Sequence, residues 1–129
     1  MKGETVSEFQ TPIPIFRSFD EKLTKEFYVD FLGFDIIFEH RFEPDTPLYF
    51  GVRLGDCILH LSEHFGDATP GSAVRIDMPD VKSYCMKLNE KNYKNARPHV
   101  QHQTWGYHEM NISDPSGNRL IFGTPCLDR

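Results

Sequence analysis

The chain has 129 residues and a mass of 15.0 kDa, which suits one domain and excludes a multidomain machine. Hydrophobic residues make up 39% of it, and eleven Phe, five Tyr and one Trp supply enough bulk to pack a core without disulfides or structural metal. A net charge of −5 argues against nucleic acid as a partner, because phosphate binding relies on a basic footprint, and it suits a cationic ligand.

In chain order, TPIPIFRS is a short apolar strand interrupted by Pro12 and Pro14, which places it at a sheet edge. Asp20 is a helix N-cap. Leu23, Phe27, Phe31 and Leu32 follow at helical spacing, and Gly33 ends a helix of about three turns. FDIIFEHRF alternates, with Phe34, Ile36, Phe38, His40 and Phe42 on one face of a half-buried strand. LYFGVRL and CILHLSE are two strands joined by a tight turn at Gly55-Asp56.

After the loop FGDATPG, the plan repeats. SAVRIDM is a strand, and Pro79-Asp80 opens a helix carrying Val81, Tyr84, Cys85 and Leu88. RPHVQHQ, YHEMNIS and RLIFGT are three further strands, the last two joined across Asp114-Pro115-Ser116-Gly117. The two caps lie sixty residues apart, so the chain reads as a duplicated β-α-β-β-β unit. The expected architecture is α+β: one domain over residues 1–129, with modules at about 11–64 and 71–125 forming curved mixed sheets with a helix on each outer face. The concave faces of such sheets are natural pockets.

Chemistry has little to work with. The odd count of three cysteines, with no CxxC pair, gives neither a disulfide framework nor a zinc cluster. Cys57 and Cys126 fall at strand ends and Cys85 on the apolar side of a helix, without an electropositive setting to activate a thiol. His99 and His102 project to opposite faces of a strand, while His40, His64 and His108 lie on separate elements. No nucleophile elbow or phosphate loop is present. The N-terminal segment lacks a secretory apolar core, and no run of about 18 apolar residues occurs. The expectation is a soluble cytoplasmic protein with no catalytic residue, no membrane segment and no nucleic-acid partner.

FDEKLTKEFYVDFLGF and DPSGNRLIFG resemble the vicinal-oxygen-chelate superfamily, which includes glyoxalase I, ring-cleaving dioxygenases, and fosfomycin- and bleomycin-resistance proteins. WGYHEMNISDPSGNRLIFG is most similar to the bleomycin-resistance branch, in which a Trp-Gly pair precedes the strand leading into the DP-x-GN turn. The resemblance covers nearly the whole chain beyond its first ten residues. The enzymes of the superfamily hold a divalent ion with one ligand from the first and one from the last strand of each module. The corresponding positions here are Ile13, His60, Ala73 and Ile121, which supply one imidazole where an open catalytic site needs about three protein ligands.

The resemblance therefore implies a binder without a metal or other cofactor, a homodimer that sequesters a bleomycin-type cationic glycopeptide antibiotic in an interface groove. The residues expected to line the groove are Phe38, His40, Phe42, Tyr49, His60, Trp105, Tyr107 and Glu109. Trp105 is the candidate stacking wall, though a core or interface Trp fits the sequence equally, and Glu109 is a buried support for the site. Glu39, Glu43 and Asp45 are expected to place negative charge at the end of the second strand, whereas Phe34 and Ile36 belong to the core. The alternatives are a metal-dependent lyase, isomerase or dioxygenase of the same superfamily, and a binder of an unrelated metabolite or protein.

Overall fold

The computed structural model describes residues 8–126. The elements are β1 (Ile15–Arg17), α1 (Glu21–Lys25) continuing into a π-helical segment (Glu26–Phe31), β2 (Asp35–His40), β3 (Tyr49–Leu54), β4 (Cys57–Ser62), β5 (Ala73–Asp77), α2 (Val81–Glu90), β6 (Val100–Gln103), β7 (Tyr107–Ser113) and β8 (Arg119–Pro125). They form two four-stranded mixed sheets, ordered β1-β4-β3-β2 and β5-β8-β7-β6. In each, the strand before the helix runs parallel to the module's last strand and the other pairings are antiparallel.

Local signals set the element ends. Asp20 accepts from Leu23 N at 2.9 Å and Asp80 from Ser83 N at 3.1 Å, each satisfying an otherwise orphaned first-turn donor. Gly33 closes the first helix at φ +96°, a conformation that favours glycine.

Two features depart from the periodic reading. The first helix widens from Glu26 onward, so that Leu32 N donates to Phe27 O. Phe27, Tyr28 and Phe31 are all buried by this segment, whereas Leu23 remains 38% exposed and is not the core residue its spacing suggests. In β2, the register with β3 shifts between Ile36 and Phe38. This bulge turns Phe38 and His40 to the opposite face from Ile36, so the five residues do not share one side. Nor is β2 half-buried: all six of its residues are exposed. Glu39, now on the helix side, pairs with Lys25 at 3.2 Å and is not part of a ligand-facing acidic rim.

The core lies between the helices and one face of each sheet. Phe16, Phe50, Val52, Leu59 and Leu61 of the first module's strands, Phe27, Tyr28, Phe31 and Phe34 of its helix and exit, Val81, Cys85 and Leu88 of α2, and Met110, Ile112, Leu120 and Phe122 of the second module's strands belong to one buried cluster.

Polar contacts lock the modules together. Asp114 begins the β7–β8 turn and accepts from Ser116 N, Asn118 N and Asn118 Nδ2, each at 2.9 Å, and from Tyr28 Oη at 2.7 Å. From the same turn Ser116 Oγ accepts from Phe19 N at 2.9 Å, and Asn118 Nδ2 donates to Arg17 O at 2.8 Å. Tyr84 Oη reaches back to Leu32 O at 2.7 Å, and Phe31 stacks on Tyr93 with centroids 4.7 Å apart. Among the described residues, no helix is long and apolar enough to cross a membrane.

Candidate functional site

Alternation along the strands leaves each sheet a second face, turned away from the helices. In the first sheet the register sets Ile15, His60, Gly51 and Phe38 in one row across it. The Phe38 ring lies over the strand backbone at Gly51, where an added Cβ would fall 2.4 Å from Phe38 Cε2. Phe38 stacks on Tyr49 at 6.1 Å and meets His60 edge-on at 5.1 Å. Tyr49 Oη and His60 Nδ1 are 2.8 Å apart. Burial lowers the His60 pKa and raises that of Tyr49, so neutral rings face the open side near pH 7. Beyond β2, Phe42 sits between His40 and His64, at 5.0 and 6.2 Å, and is 76% exposed.

The second sheet repeats the device. Gly123 lies beneath Tyr107, where a Cβ would meet Tyr107 Cδ2 at 2.9 Å. Tyr107 Oη donates to Asp77 Oδ2 at 2.8 Å, and the Arg75 guanidinium lies 5.3 Å from the Tyr107 ring centroid. Buried Glu109 accepts on one carboxylate oxygen from Arg75 at 2.6 Å and from Trp105 Nε1 at 3.0 Å. Burial alone would raise the Glu109 pKa, but these two donors outweigh it and hold the carboxyl below its usual range. Trp105 is thus oriented by a hydrogen bond at its edge while 61% of its surface stays exposed.

The structure accordingly gathers the eight sequence-predicted residues into groups on two sheets. Phe38, Tyr49 and His60 form one, with His40 and Phe42 at its outer end, and Trp105, Tyr107 and Glu109 form the other. No hydrogen bond, ion pair or ring contact joins the two sheets' groups among the described residues. Four participants were not singled out from the sequence: Arg75, Asp77, Gly51 and Gly123. The glycines carry a readable signal, since glycine inside a strand often marks a close approach. Arg75 and Asp77 become visible only through the pairing of β5 with β8. Likewise, His102 and His108 are cross-strand partners with rings 5.0 Å apart, on the second sheet's helix side.

A family described as glyoxalase superfamily protein matches residues 2–126. The chain belongs to that family. Among solved structures, the glyoxalase-superfamily chain is similar to TnmS3, an antibiotic binding protein from Streptomyces sp. CB03234, with 24% identity, 90% of this chain and 97% of that one covered, and a TM-score of 0.66. It is also similar to a bleomycin resistance determinant encoded on the transposon Tn5, at 21% identity, 91% and 98% coverage and a TM-score of 0.72. A third likeness is to a lactoylglutathione lyase from Agrobacterium tumefaciens, at 16% identity, 92% and 96% coverage and a TM-score of 0.66. No curated protein matches the chain significantly. These likenesses show a shared fold that hosts both binding and catalysis, so function must be argued from the site.

A divalent ion of the kind used by superfamily enzymes does not fit the residues present. Of the four corresponding positions only His60 is a donor, and its Nδ1 is engaged with Tyr49. The register partners of His60 and Ile121 are Ile15 and Arg75, an aliphatic side chain and a cation. Among the described residues, no three His, Cys, Asp or Glu side chains are grouped to hold a metal. Burial raises the Cys57 and Cys85 thiol pKa values, away from the thiolate a nucleophile requires. What both faces offer is stacking area with fixed polar edges.

Proposed function

We propose that this protein is a non-catalytic small-molecule binder that sequesters a bleomycin-type cationic glycopeptide antibiotic in a groove between two copies of the chain. The observation that carries the reading is the pair of aromatic faces, Phe38 with Tyr49 and His60 on one sheet and Trp105 with Tyr107 on the other. Each is preoriented and left open in the single chain. Exposed stacking area fixed by hydrogen bonds at its edge suits a flat heteroaromatic ligand, since little side-chain entropy is lost on binding. The exposed apolar side chains of Ile13, Ile15, Phe38 and Phe42 would lose contact with water on burial against a second protomer. In the groove, Glu109 acts through Trp105 and Arg75 and does not contact ligand. The net charge of −5 favours approach of a cation.

Incubating the protein with bleomycin, then recovering the drug after denaturation, tests sequestration against catalysis. The expected result is drug of unchanged mass, retained by a particle of twice the chain mass in sedimentation. Chemical conversion of the drug, or a monomer that retains none, would overturn the reading. Metal-dependent turnover of another substrate would select the enzyme reading instead.

A further inference from the structure

The two ends of the module junction are built alike but finished differently. At one end the β7–β8 turn packs beside the end of β1, with Ser116 taking the Phe19 N–H and Asn118 the Arg17 carbonyl. The sixty-residue spacing of the helix caps relates Arg17, Ser18 and Phe19 to Asp77, Met78 and Pro79. The correspondence holds in the backbone: Met78 N donates to Gly123 O at 2.8 Å as Ser18 N does to Ser62 O at 2.8 Å. Pro79, however, has no N–H to offer. The hairpin at this end turns at Gly55-Asp56, without a Ser or Asn to reach across.

The unfilled space is a cavity of about 470 Å³ walled chiefly by Leu54, Cys57, Ile76, Met78, Tyr84 and Phe122. Its volume falls within the roughly 300–1,000 Å³ of small-molecule sites. Tyr84 and Phe122 are fixed against each other edge-to-face at 5.2 Å, and the Tyr84 hydroxyl is committed to Leu32 O. The pocket thus has a rigid apolar wall. Its charged lining residues are Asp56 and Asp77, with no Lys or Arg among them, and alternation along β5 turns the Asp77 side chain to the opposite face from Ile76.

From this asymmetry we infer a second small-molecule site, separate from the aromatic faces, for a small aromatic amine. The ring system lies against Leu54, Ile76 and Phe122, and the protonated amine is directed to Asp56. An uncharged ring would gain the apolar contact alone, and an anion would meet the like charge of Asp56. The Asp77 carboxylate, held by Tyr107, belongs to the second sheet's aromatic cluster and stays outside this site.

Tryptamine titrated into isotope-labelled full-length protein, followed by amide chemical shifts, tests the site. Saturable shifts are expected at Leu54, Cys57, Ile76 and Met78, with indole binding more weakly than tryptamine and Asp56→Asn narrowing that difference. Leu54→Trp, which fills the cavity, should raise the dissociation constant about tenfold or more, a loss of about 1.4 kcal/mol, and Trp105→Ala should leave it unchanged. If Leu54→Trp melts well below the parent, Cys57→Leu is the filling variant to use and must show the same loss. Absence of saturable shifts, shifts centred on Trp105 that vanish in Trp105→Ala, or full affinity in a folded filling variant would each overturn the inference.

Discussion

The DPSGN turn and the faces turned away from the helices are both rich in polar and aromatic groups, yet they are built to opposite ends. In the turn, Asp114 is 6% exposed and each of its hydrogen bonds ends on this chain's own backbone or on Asn118 and Tyr28. On the faces, hydrogen bonds fix the edges of the rings while the ring surfaces stay open, as with Trp105 on Glu109. A group whose interactions are closed internally serves architecture. A group held rigid with its surface unspent is available for a ligand.

Substitutions should separate the two regions. The largest effect is expected at Asp114→Ala, which strands three donors within the turn and the buried Tyr28 hydroxyl. A loss of about 3 kcal/mol or more is predicted in urea unfolding, and Tyr28→Phe should cost about 1 kcal/mol by deleting one of those bonds. A near-neutral Asp114→Ala would break the comparison.

Gly51→Ala sharpens it from the other side. The new methyl must displace the Phe38 ring, whose Cε2 would lie 2.4 Å from it. Because that ring is already 38% exposed, the stability change should stay within about 1 kcal/mol, while drug retention falls. Gly123→Ala should act likewise through Tyr107.

Glu109 predicts a smaller, pH-dependent effect. Its carboxyl is held below its usual range in the folded protein, so its contribution is fully present above the unfolded value near 4.3 and is lost as pH falls through the folded one. Urea midpoints measured between pH 6 and pH 3 should drop less steeply in Glu109→Gln than in the parent. The smallest effect on stability is expected for Trp105→Ala, within about 0.5 kcal/mol, because the indole is mostly outside the core.

Much of this arrangement was legible in the sequence. Asp20 and Asp80, Gly33 and the Gly55-Asp56 turn are local signals, and each has a local physical meaning that the structure keeps. The β2 bulge escaped the periodic reading, because Phe34, Ile36, Phe38, His40 and Phe42 fit one face of a regular strand. The break in the alternation at Ile37 coincides with the bulge, but only the register with β3 identifies it as an extra residue. The π-helical widening escaped for a related reason: Leu23, Phe27 and Phe31 fit an ordinary helix, and only tertiary packing selects Tyr28 over Leu23 for burial. At the candidate site, Trp105 and Glu109 stood out through the WG…DPSGN pattern. Arg75, more than thirty residues from Glu109 in the chain, could not be placed beside it without the β5–β8 pairing.

The central claim is that the open aromatic faces bind a small molecule without supporting the fold. Calorimetric titration of the metal-free protein with bleomycin, repeated on Trp105→Ala, tests it most directly. The account predicts saturable binding at about one drug per protomer and an affinity about tenfold or more lower in the variant, equivalent to at least 1.4 kcal/mol, with the variant as stable as the parent. An absence of saturable heat, or equal affinity in both proteins, would contradict it.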